Sequence, residues 1–412
     1  MLFHKNKTIL YTIAFTLFIL ASLYGLLIRW NFAFPIMSFP YKNVLQSHSH
    51  VAFLGWGYIF VITLISECYL TKIQQKSKLY SYSFVIALLA VCLMLVSFPL
   101  GGYKVFSIVL LSVFGLSSYI VSFKLLRFLK GNTFSLKFIK YGIYYYLLSS
   151  LATWFLAFVL ITQGKSSLYY NTVYFYLHFL YNGFFVFALF GLLFKLFENK
   201  QILISTKLQQ NFFSYLNIAC IPAYVLSVLW SGVSMHFYIV GFIAAILQFI
   251  SLFFLIKIVK QVWQQLKWNA ISKLLFKVLL LAYTLKIIMQ ICSSIPYFVE
   301  KALALKPFLI IGYLHLFTLG FMSAFIFLLL NEFGKIELQS KMSTMGVYLF
   351  LLGVLFTEVL LFGQGLLMIL GIASIENYNL YVLIVSMIVV LGLSFIYANQ
   401  LKQLIKKPNI LS

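Results

Sequence analysis

The sequence predicts an all-α fold, a polytopic membrane bundle of about twelve transmembrane helices with both termini in the cytoplasm. Composition is the first reason. Hydrophobic residues make up 63% of the 412 residues and charged residues only 9%, far from the averages of soluble proteins. The apolar residues also form runs close to the twenty or so residues that a bilayer core requires. A soluble globular protein is therefore excluded.

The apolar runs give the expected helices in order. We expect spans over residues 8–30, 45–70, 79–99, 103–126, 138–162, 169–195, 211–233, 235–257, 270–297, 306–331, 342–371 and 377–400. The seventh and eighth spans should meet in a tight turn at Ser231 and Gly232. No connection is long enough to fold separately, so residues 1–412 are interpreted as one bundle.

Basic residues set the predicted orientation of these spans. Every second connection holds a cluster of lysine or arginine, and the basic chain ends, with Lys5 and Lys407, belong to the same side. By the positive-inside rule this side is cytoplasmic. The +23 net charge is thus a consequence of topology rather than a sign of nucleic-acid binding. We expect a multi-pass protein of the cytoplasmic (inner) membrane, with the lipid bilayer as its immediate partner.

One short phrase occurs four times: a histidine, four residues, a glycine and a large aromatic residue. Histidine is costly in hydrocarbon and marks functional sites there, so a repeated membrane histidine predicts a metal or haem ligand. The alternative is that each histidine only forms a hydrogen bond with a neighbouring helix. The copies begin at His50, His178, His236 and His315.

The predicted topology places all four copies near the outer ends of spans two, six, eight and ten, in one leaflet. In an α-helix a glycine five residues after a histidine lies about 140° around the axis, so it should contact a neighbouring helix instead. His48 precedes Gly55 by seven residues and lies on nearly the same face. Periodicity does not choose between His48 and His50.

The segment from His48 to Trp56 in span two and the segment from Ile311 to Gly320 in span ten resemble subunit I of the haem-copper oxidase superfamily. That superfamily includes a nitric oxide reductase branch, and NnrS-like membrane proteins are related to it. The resemblance implies a low-spin haem b held by His315 and a span-two histidine, with His48 preferred over His50. Two imidazoles on one iron would form an electron-transfer site.

The resemblance also implies a degenerate copper site. His178 takes the position of a copper ligand in span six, and His236 takes the position of the pair that precedes span eight. Tyr181 and Asn182 follow His178 and could line such a pocket. Tyr313 stands where the catalytic haem would have its proximal histidine; we interpret it as a packing or hydrogen-bonding residue, with iron ligation as the alternative. A proton-pumping oxidase is therefore not expected.

Two further charged residues lie within spans. Lys286 in span nine and Glu358 in span eleven are at similar depth, and either they form an ion pair or each faces its own polar cavity. The four cysteines, at no ligand spacing, are interpreted as small packing residues: Cys68, Cys92, Cys220 and Cys292.

The predicted function is haem-based electron transfer or handling of nitric oxide or oxygen. An active enzyme would be a haem-dependent oxidoreductase, with partner subunits or a cytochrome or quinol as the electron donor. The alternative is a secondary transporter in which histidines and the Lys286–Glu358 pair couple protons to transport. A third class is an inactive subunit that supports a redox complex.

Overall fold

A computed structural model describes residues 7–406 of the chain. Within that range it contains helices and no strands, which confirms the all-α fold. Eleven of the helices are long and apolar enough to cross a membrane, so the chain is a multi-pass membrane protein by length and composition. The cytoplasmic placement of the termini stays a prediction; His4, Lys5 and Lys407 lie outside the described residues.

The helices follow the expected order closely. They are α1 (Lys7–Ala33), α2 (Tyr41–Tyr69), α3 (Lys78–Gly101), α4 (Val105–Phe128), α5 (Phe134–Gln163), α6 (Ser167–Asn199), α7 (Thr206–Cys220), α8 (Met235–Trp263), α9 (Ala270–Cys292), α10 (Lys306–Glu332), α11 (Lys341–Ile369) and α12 (Tyr378–Lys406). Two shorter helices, Lys72–Gln75 and Pro296–Ala304, lie in connections.

The seventh crossing differs from the sequence prediction of one continuous span. Helix α7 ends at Cys220, and two 3₁₀-helices follow, Pro222–Ser227 and Leu229–Ser231. Pro222 has no backbone N–H and cannot continue the α-helical hydrogen bonds. Gly232 then adopts a left-handed conformation, with φ at 75°, in the predicted turn.

Hydrogen bonds join both parts of this mixed segment to neighbouring helices of unit 2. At its start, the Ser205 N–H donates to Oε1 of Gln261 near the end of α8, at 3.0 Å. At its other end, the Tyr224 hydroxyl donates to the Asn171 carbonyl near the start of α6, also at 3.0 Å. The segment is therefore α-helical only in its first part, and a twelfth span, beyond the eleven candidates among the described residues, stays a prediction.

The helices group into two compact units. Within the described range, unit 1 comprises residues 7–129 and 326–406, and unit 2 comprises residues 130–325. The boundary falls inside α10, which contributes to both units. The interpretation of residues 1–412 as one bundle stays a prediction, and each unit is described by itself.

In unit 1, small residues bring α11 and α12 into close contact. A Cβ atom on Gly392 would lie 2.4 Å from the backbone nitrogen of Phe350, and one on Gly353 would lie 2.9 Å from that of Val389. Such approaches are typical of membrane helices, whose association depends on close packing. On the other side of the unit, the Phe18 and Trp56 rings stack with centroids 4.7 Å apart.

In unit 2, aromatic rings fill the interior between α5, α6 and α7. Phe138 is fully buried and contacts three other rings, at centroid distances of 5.1–5.4 Å: Phe194, Phe212 and Phe213. Gly191 lets α5 approach α6, because a Cβ there would lie 2.6 Å from Cγ1 of Ile139.

Three helices are much more buried than the rest. In the apolar windows of α2, α6 and α10, 78%, 89% and 72% of the residues are buried, against 33–44% in the other eight candidate spans. These three helices are thus shielded from lipid by the rest of the protein, and they carry His48, His50, His178 and His315.

The α11–α12 contact gives a matched test of packing. We expect Gly392→Ala to destabilise the protein by about 1–3 kcal/mol, because the added methyl group would meet backbone atoms that cannot rotate away. Gly363→Ala, on α11 with nothing within 4 Å of the new Cβ, should have no cost. Thermal unfolding of detergent-purified protein measures both, and equal stability of the two variants would contradict this packing.

Candidate functional site

Three stretches of π-helix begin at the residue directly after a histidine. They are Val51–Tyr58 after His50 in α2, Phe179–Phe185 after His178 in α6, and Leu316–Ser323 after His315 in α10. π-Helices are rare and occur frequently at functional sites. The fourth copy of the phrase, at His236, lies at the start of α8, which is α-helical throughout. Three of the four copies of the phrase are therefore followed by a π-helix, and the copy at His236 is not.

The π-helices change the interpretation of the glycine in the phrase. In a π-helix the N–H of residue i+5 bonds to the carbonyl of residue i, so a histidine-to-glycine spacing of five equals one step of its hydrogen-bond ladder. The 140° separation predicted for an α-helix does not apply. Two of these glycines lie against neighbouring helices, as expected: a Cβ on Gly183 would lie 2.5 Å from Cβ of Tyr145, and one on Gly55 would lie 3.0 Å from Cβ of Leu17.

The structure distinguishes His48 from His50. Nδ1 of His48 lies 2.7 Å from the Ala21 carbonyl oxygen. A carbonyl only accepts, so Nδ1 carries the proton and Nε2 keeps its lone pair. By contrast, Nε2 of His50 forms a hydrogen bond with the Tyr103 hydroxyl at 2.7 Å, and its ring stacks on Phe98. The two histidines of α2 therefore differ: Nε2 of His50 is engaged by Tyr103, whereas the contact of His48 with Ala21 is made through Nδ1.

His48 also fits tightly against α1. A Cβ on Gly25 would lie 2.8 Å from Cε1 of the imidazole, so only glycine at this position leaves room for the ring. Arg29, one turn further along α1, is close enough to interact electrostatically with His48. The position of the ring is therefore fixed by α1, through the Ala21 carbonyl and the missing side chain of Gly25.

His315 has the same orientation as His48. Its Nδ1 lies 2.9 Å from the Ile311 carbonyl, one turn earlier in α10, so Nδ1 carries the proton and Nε2 the lone pair. Histidines that bind metals usually donate their other ring N–H to a carbonyl or carboxylate in this way. His48 and His315 therefore both match the arrangement of an imidazole that ligates through Nε2.

His178 has the opposite orientation. It is 3% exposed, and its Nε2 donates to the Cys220 carbonyl at 2.8 Å, while Nδ1 is 3.2 Å from the Asn182 amide nitrogen. The break in α7 creates that acceptor. The Tyr224 N–H, which would bond to Cys220 in a continuous α-helix, instead bonds to Ile221 at 3.1 Å.

The copper site predicted at His178 and His236 does not fit this arrangement. Both nitrogens of His178 are already engaged, and His236 is exposed in the first turn of α8. His178 lies eleven residues into α6, about 16 Å from the helix start. Among the residues from 7 to 406, no three histidine, cysteine or acidic side chains form a group that could hold a metal.

Unit 2 does bring several of the predicted residues into one buried place. Lys286 of α9 is 1% exposed and donates to Oε1 of Gln290 at 3.1 Å. The lysine is close enough to interact electrostatically with His178 of α6 and Cys220 of α7. We call these residues, together with those of the next paragraph, the unit 2 polar cluster: His178, Tyr181, Asn182, Cys220, Tyr283, Lys286, Gln290 and Tyr313.

Three tyrosines complete the unit 2 polar cluster. Tyr313 of α10 interacts electrostatically with Tyr181 of α6 and with Tyr283 of α9. Tyr181 also stacks on Phe317 at 5.2 Å, which joins two of the π-helices within unit 2. The sequence predicted Tyr181 and Asn182 as lining residues beside His178, and Tyr313 at a separate position in span ten. In the structure these residues surround one interior region of unit 2.

Glu358 lies in unit 1, where the cation that interacts with it is Arg29 rather than Lys286. It is 8% exposed, and neither carboxylate oxygen has a hydrogen-bond partner in the described part of the chain. Arg29 interacts with it electrostatically and also with Tyr41 and Tyr378. Lys286 belongs to unit 2 and has Gln290 as its acceptor. The predicted Lys286–Glu358 ion pair stays a prediction.

The sequence interpretation missed four contributors. Cys220 was assigned to packing, although its carbonyl orients His178. Tyr283 and Gln290 could have been found, because with Lys286 they form a polar stripe at helical spacing on an otherwise apolar span. Arg29 lies at the end of the first apolar run, and its influence on Glu358 depends on how α1 packs within unit 1.

The chain matches no protein-family model, and comparison with curated proteins also finds no match. The resemblance to haem-copper oxidase subunit I therefore depends on short sequence segments and the predicted topology alone, and membership of that superfamily stays a prediction.

The hydrogen bonds predict different tautomers for His48, His178 and His315. In protein without cofactor, we expect His178 to carry its proton on Nε2, and His48 and His315 to carry theirs on Nδ1. Nitrogen NMR of ¹⁵N-histidine-labelled protein, with single histidine-to-glutamine variants for assignment, measures this. A His178 protonated on Nδ1 would contradict the Cys220 contact.

Proposed function

We propose that this protein binds haem b, and the residues that would hold it are His48 and His315. The observation that supports it is the shared arrangement of these two imidazoles. Each donates Nδ1–H to a backbone carbonyl, at 2.7 Å and 2.9 Å, and directs its lone pair through Nε2. Each also lies within three residues of the start of a π-helix.

The residues around His48 fit a haem ligand. The Ala21 carbonyl fixes the tautomer and the ring plane, and such outer contacts raise the basicity of a ligating imidazole. Gly25 gives the ring its space against α1. Arg29 supplies a cation in the same region, suited to a carboxylate side group of a porphyrin.

Haem held by two imidazoles would supply one-electron transfer at a membrane-embedded site. The chain's own contribution is to hold the imidazoles in one tautomer and to exclude water and lipid. The best-supported role is electron transfer linked to the handling of nitric oxide or oxygen, with a cytochrome, a quinol or a partner subunit as donor. Copper is not part of the proposal, because His178 and His236 do not fit it.

A second candidate is a proton-coupled transporter, and one observation favours it. The buried Glu358 carboxylate has no hydrogen-bond partner among the described residues, and an uncompensated acid in a membrane is a typical proton-carrying group. Arg29 provides the charge that would respond to its protonation. Haem content separates the two functions.

The test is haem content by optical spectroscopy after expression with excess haem. We expect a reduced Soret band in the wild-type protein. We expect at least a tenfold loss of haem per protein in His48→Ala and in His315→Ala, because each removes one iron ligand. His50→Ala and His178→Ala serve as matched controls and should keep the band. The ratio of haem to protein decides.

A further variant tests the position of His48 without removing it. Gly25→Ala places a methyl group 2.8 Å from Cε1 of His48, and should lower haem occupancy or shift the band. Gly363→Ala, a glycine with open space around it, should do neither. A wild-type protein that has no Soret band after haem-replete expression would overturn the proposal and favour the transporter.

A further inference from the structure

We infer that unit 2 contains a binding site for a small monovalent oxyanion, a carboxylate such as formate or a planar anion such as nitrate, at Lys286 and Tyr283. This inference goes beyond haem binding and does not depend on it. It stands on a buried ammonium group without an acidic partner in its unit and on a buried hydroxyl group without a hydrogen-bond partner.

The first observation is the environment of Lys286. The side chain is 1% exposed, and an ammonium group has three N–H donors and no acceptor. The structure gives it one hydrogen bond within unit 2, to Oε1 of Gln290 at 3.1 Å, and the face of the Tyr283 ring at 5.3 Å. Neither is a negative charge, and a buried cation is costly unless it is paired.

The acidic residues of unit 2 do not supply that charge. Residues 130–325 contain no aspartate and only two glutamates, Glu198 and Glu300. Glu198 is exposed near the end of α6 and accepts from the Ser135 hydroxyl at 2.8 Å. Glu300 is exposed in the short helix Pro296–Ala304. Within its own unit, Lys286 therefore has no carboxylate beside it.

The second observation is the Tyr283 hydroxyl. Tyr283 is fully buried, and its oxygen has no hydrogen-bond partner among the described residues. It precedes Lys286 by three residues on α9, so the two side chains lie on the same face of the helix. A buried hydroxyl group normally finds a partner. The two groups thus offer donors from one face of α9: the ammonium has no negatively charged acceptor in its unit, and the hydroxyl has no acceptor among the described residues.

An anion with two or three oxygens on one central atom would satisfy both donors. One oxygen would accept from Nζ of Lys286 and another from the Tyr283 hydroxyl, while Gln290 would keep the ammonium in place. Charge-assisted hydrogen bonds of this kind are about twice as strong as neutral ones. The anion must be small, because the Tyr283 ring stacks on Phe321 at 5.1 Å and also contacts Phe190.

The position of the site along α9 is compatible with entry from one side. Lys286 lies six residues before the end of α9 at Cys292, which corresponds to about 9 Å along the axis. The Pro296–Ala304 helix follows directly, and none of its residues is buried. An anion would therefore cross less than two helical turns to reach the ammonium.

The experiment is calorimetric titration of the detergent-purified full chain with sodium formate and with sodium nitrate. Sodium gluconate, a bulky monovalent carboxylate, serves as the matched salt control. We expect saturable binding of formate or nitrate and none of gluconate. Lys286→Met should weaken binding at least about tenfold, since the charge is removed, and Tyr283→Phe should weaken it severalfold, since one donor is removed.

Two lysine variants serve as controls. Lys286→Arg keeps the charge and should retain more binding than Lys286→Met. Lys277→Met removes an exposed lysine of the same helix and should bind as the wild-type protein does. Formate should also raise the unfolding temperature of the wild-type protein and not that of Lys286→Met.

Several results would overturn the inference. If the wild-type protein shows no saturable binding, Lys286 needs no counter-ion, because a neutral amine carries no charge to balance. Unchanged affinity in Lys286→Met would place the anion elsewhere. Equal losses in Lys277→Met and Lys286→Met would indicate attraction to the basic surface. Because the wild-type and Tyr283→Phe measurements suffice, the inference stays testable even if Lys286→Met does not fold.

Discussion

The structure depends on the requirement that backbone N–H and C=O groups inside a membrane find partners within the protein. A π-helix disturbs the regular hydrogen-bond ladder, and such a disturbance is tolerated only where other helices cover it. The three π-helices lie in α2, α6 and α10, the three candidate spans with the largest buried fraction. The histidines are therefore found where the backbone has freedom to be irregular and where lipid does not reach.

The same requirement explains the role of α7. Its α-helical ladder stops at Cys220, and the 3₁₀-helix that begins at Pro222 leaves the Cys220 carbonyl available. His178 donates to it, and a histidine placed in this way has its proton on Nε2 and its lone pair directed at Asn182. The imidazoles of His48 and His315, anchored through Nδ1, have the complementary tautomer. Histidines that share a sequence phrase thus have different chemistry because different carbonyls are within reach.

Most of the fold could be predicted from the sequence, because long apolar runs between basic connections determine the spans with little ambiguity. The interruption after Cys220 was not predicted, because hydropathy values do not reflect the absence of a backbone N–H at Pro222. The repeated phrase was found, but its spacing of five was interpreted with α-helical geometry, and the π-helices became visible only in three dimensions. Which nitrogen of each histidine is engaged depends on carbonyls of other turns and helices, such as Ala21 and Cys220, which one sequence does not reveal.

The break at Pro222 has a consequence for how this protein can change over evolutionary time. A mutation that restored a continuous α-helix there would let the Tyr224 N–H compete for the Cys220 carbonyl, and His178 would lose its acceptor although nothing near it in the chain had altered. Divergence at the proline is therefore constrained by a residue on another helix. Homologues that have replaced Pro222 should also have replaced His178, and the reverse, so these two positions should change together.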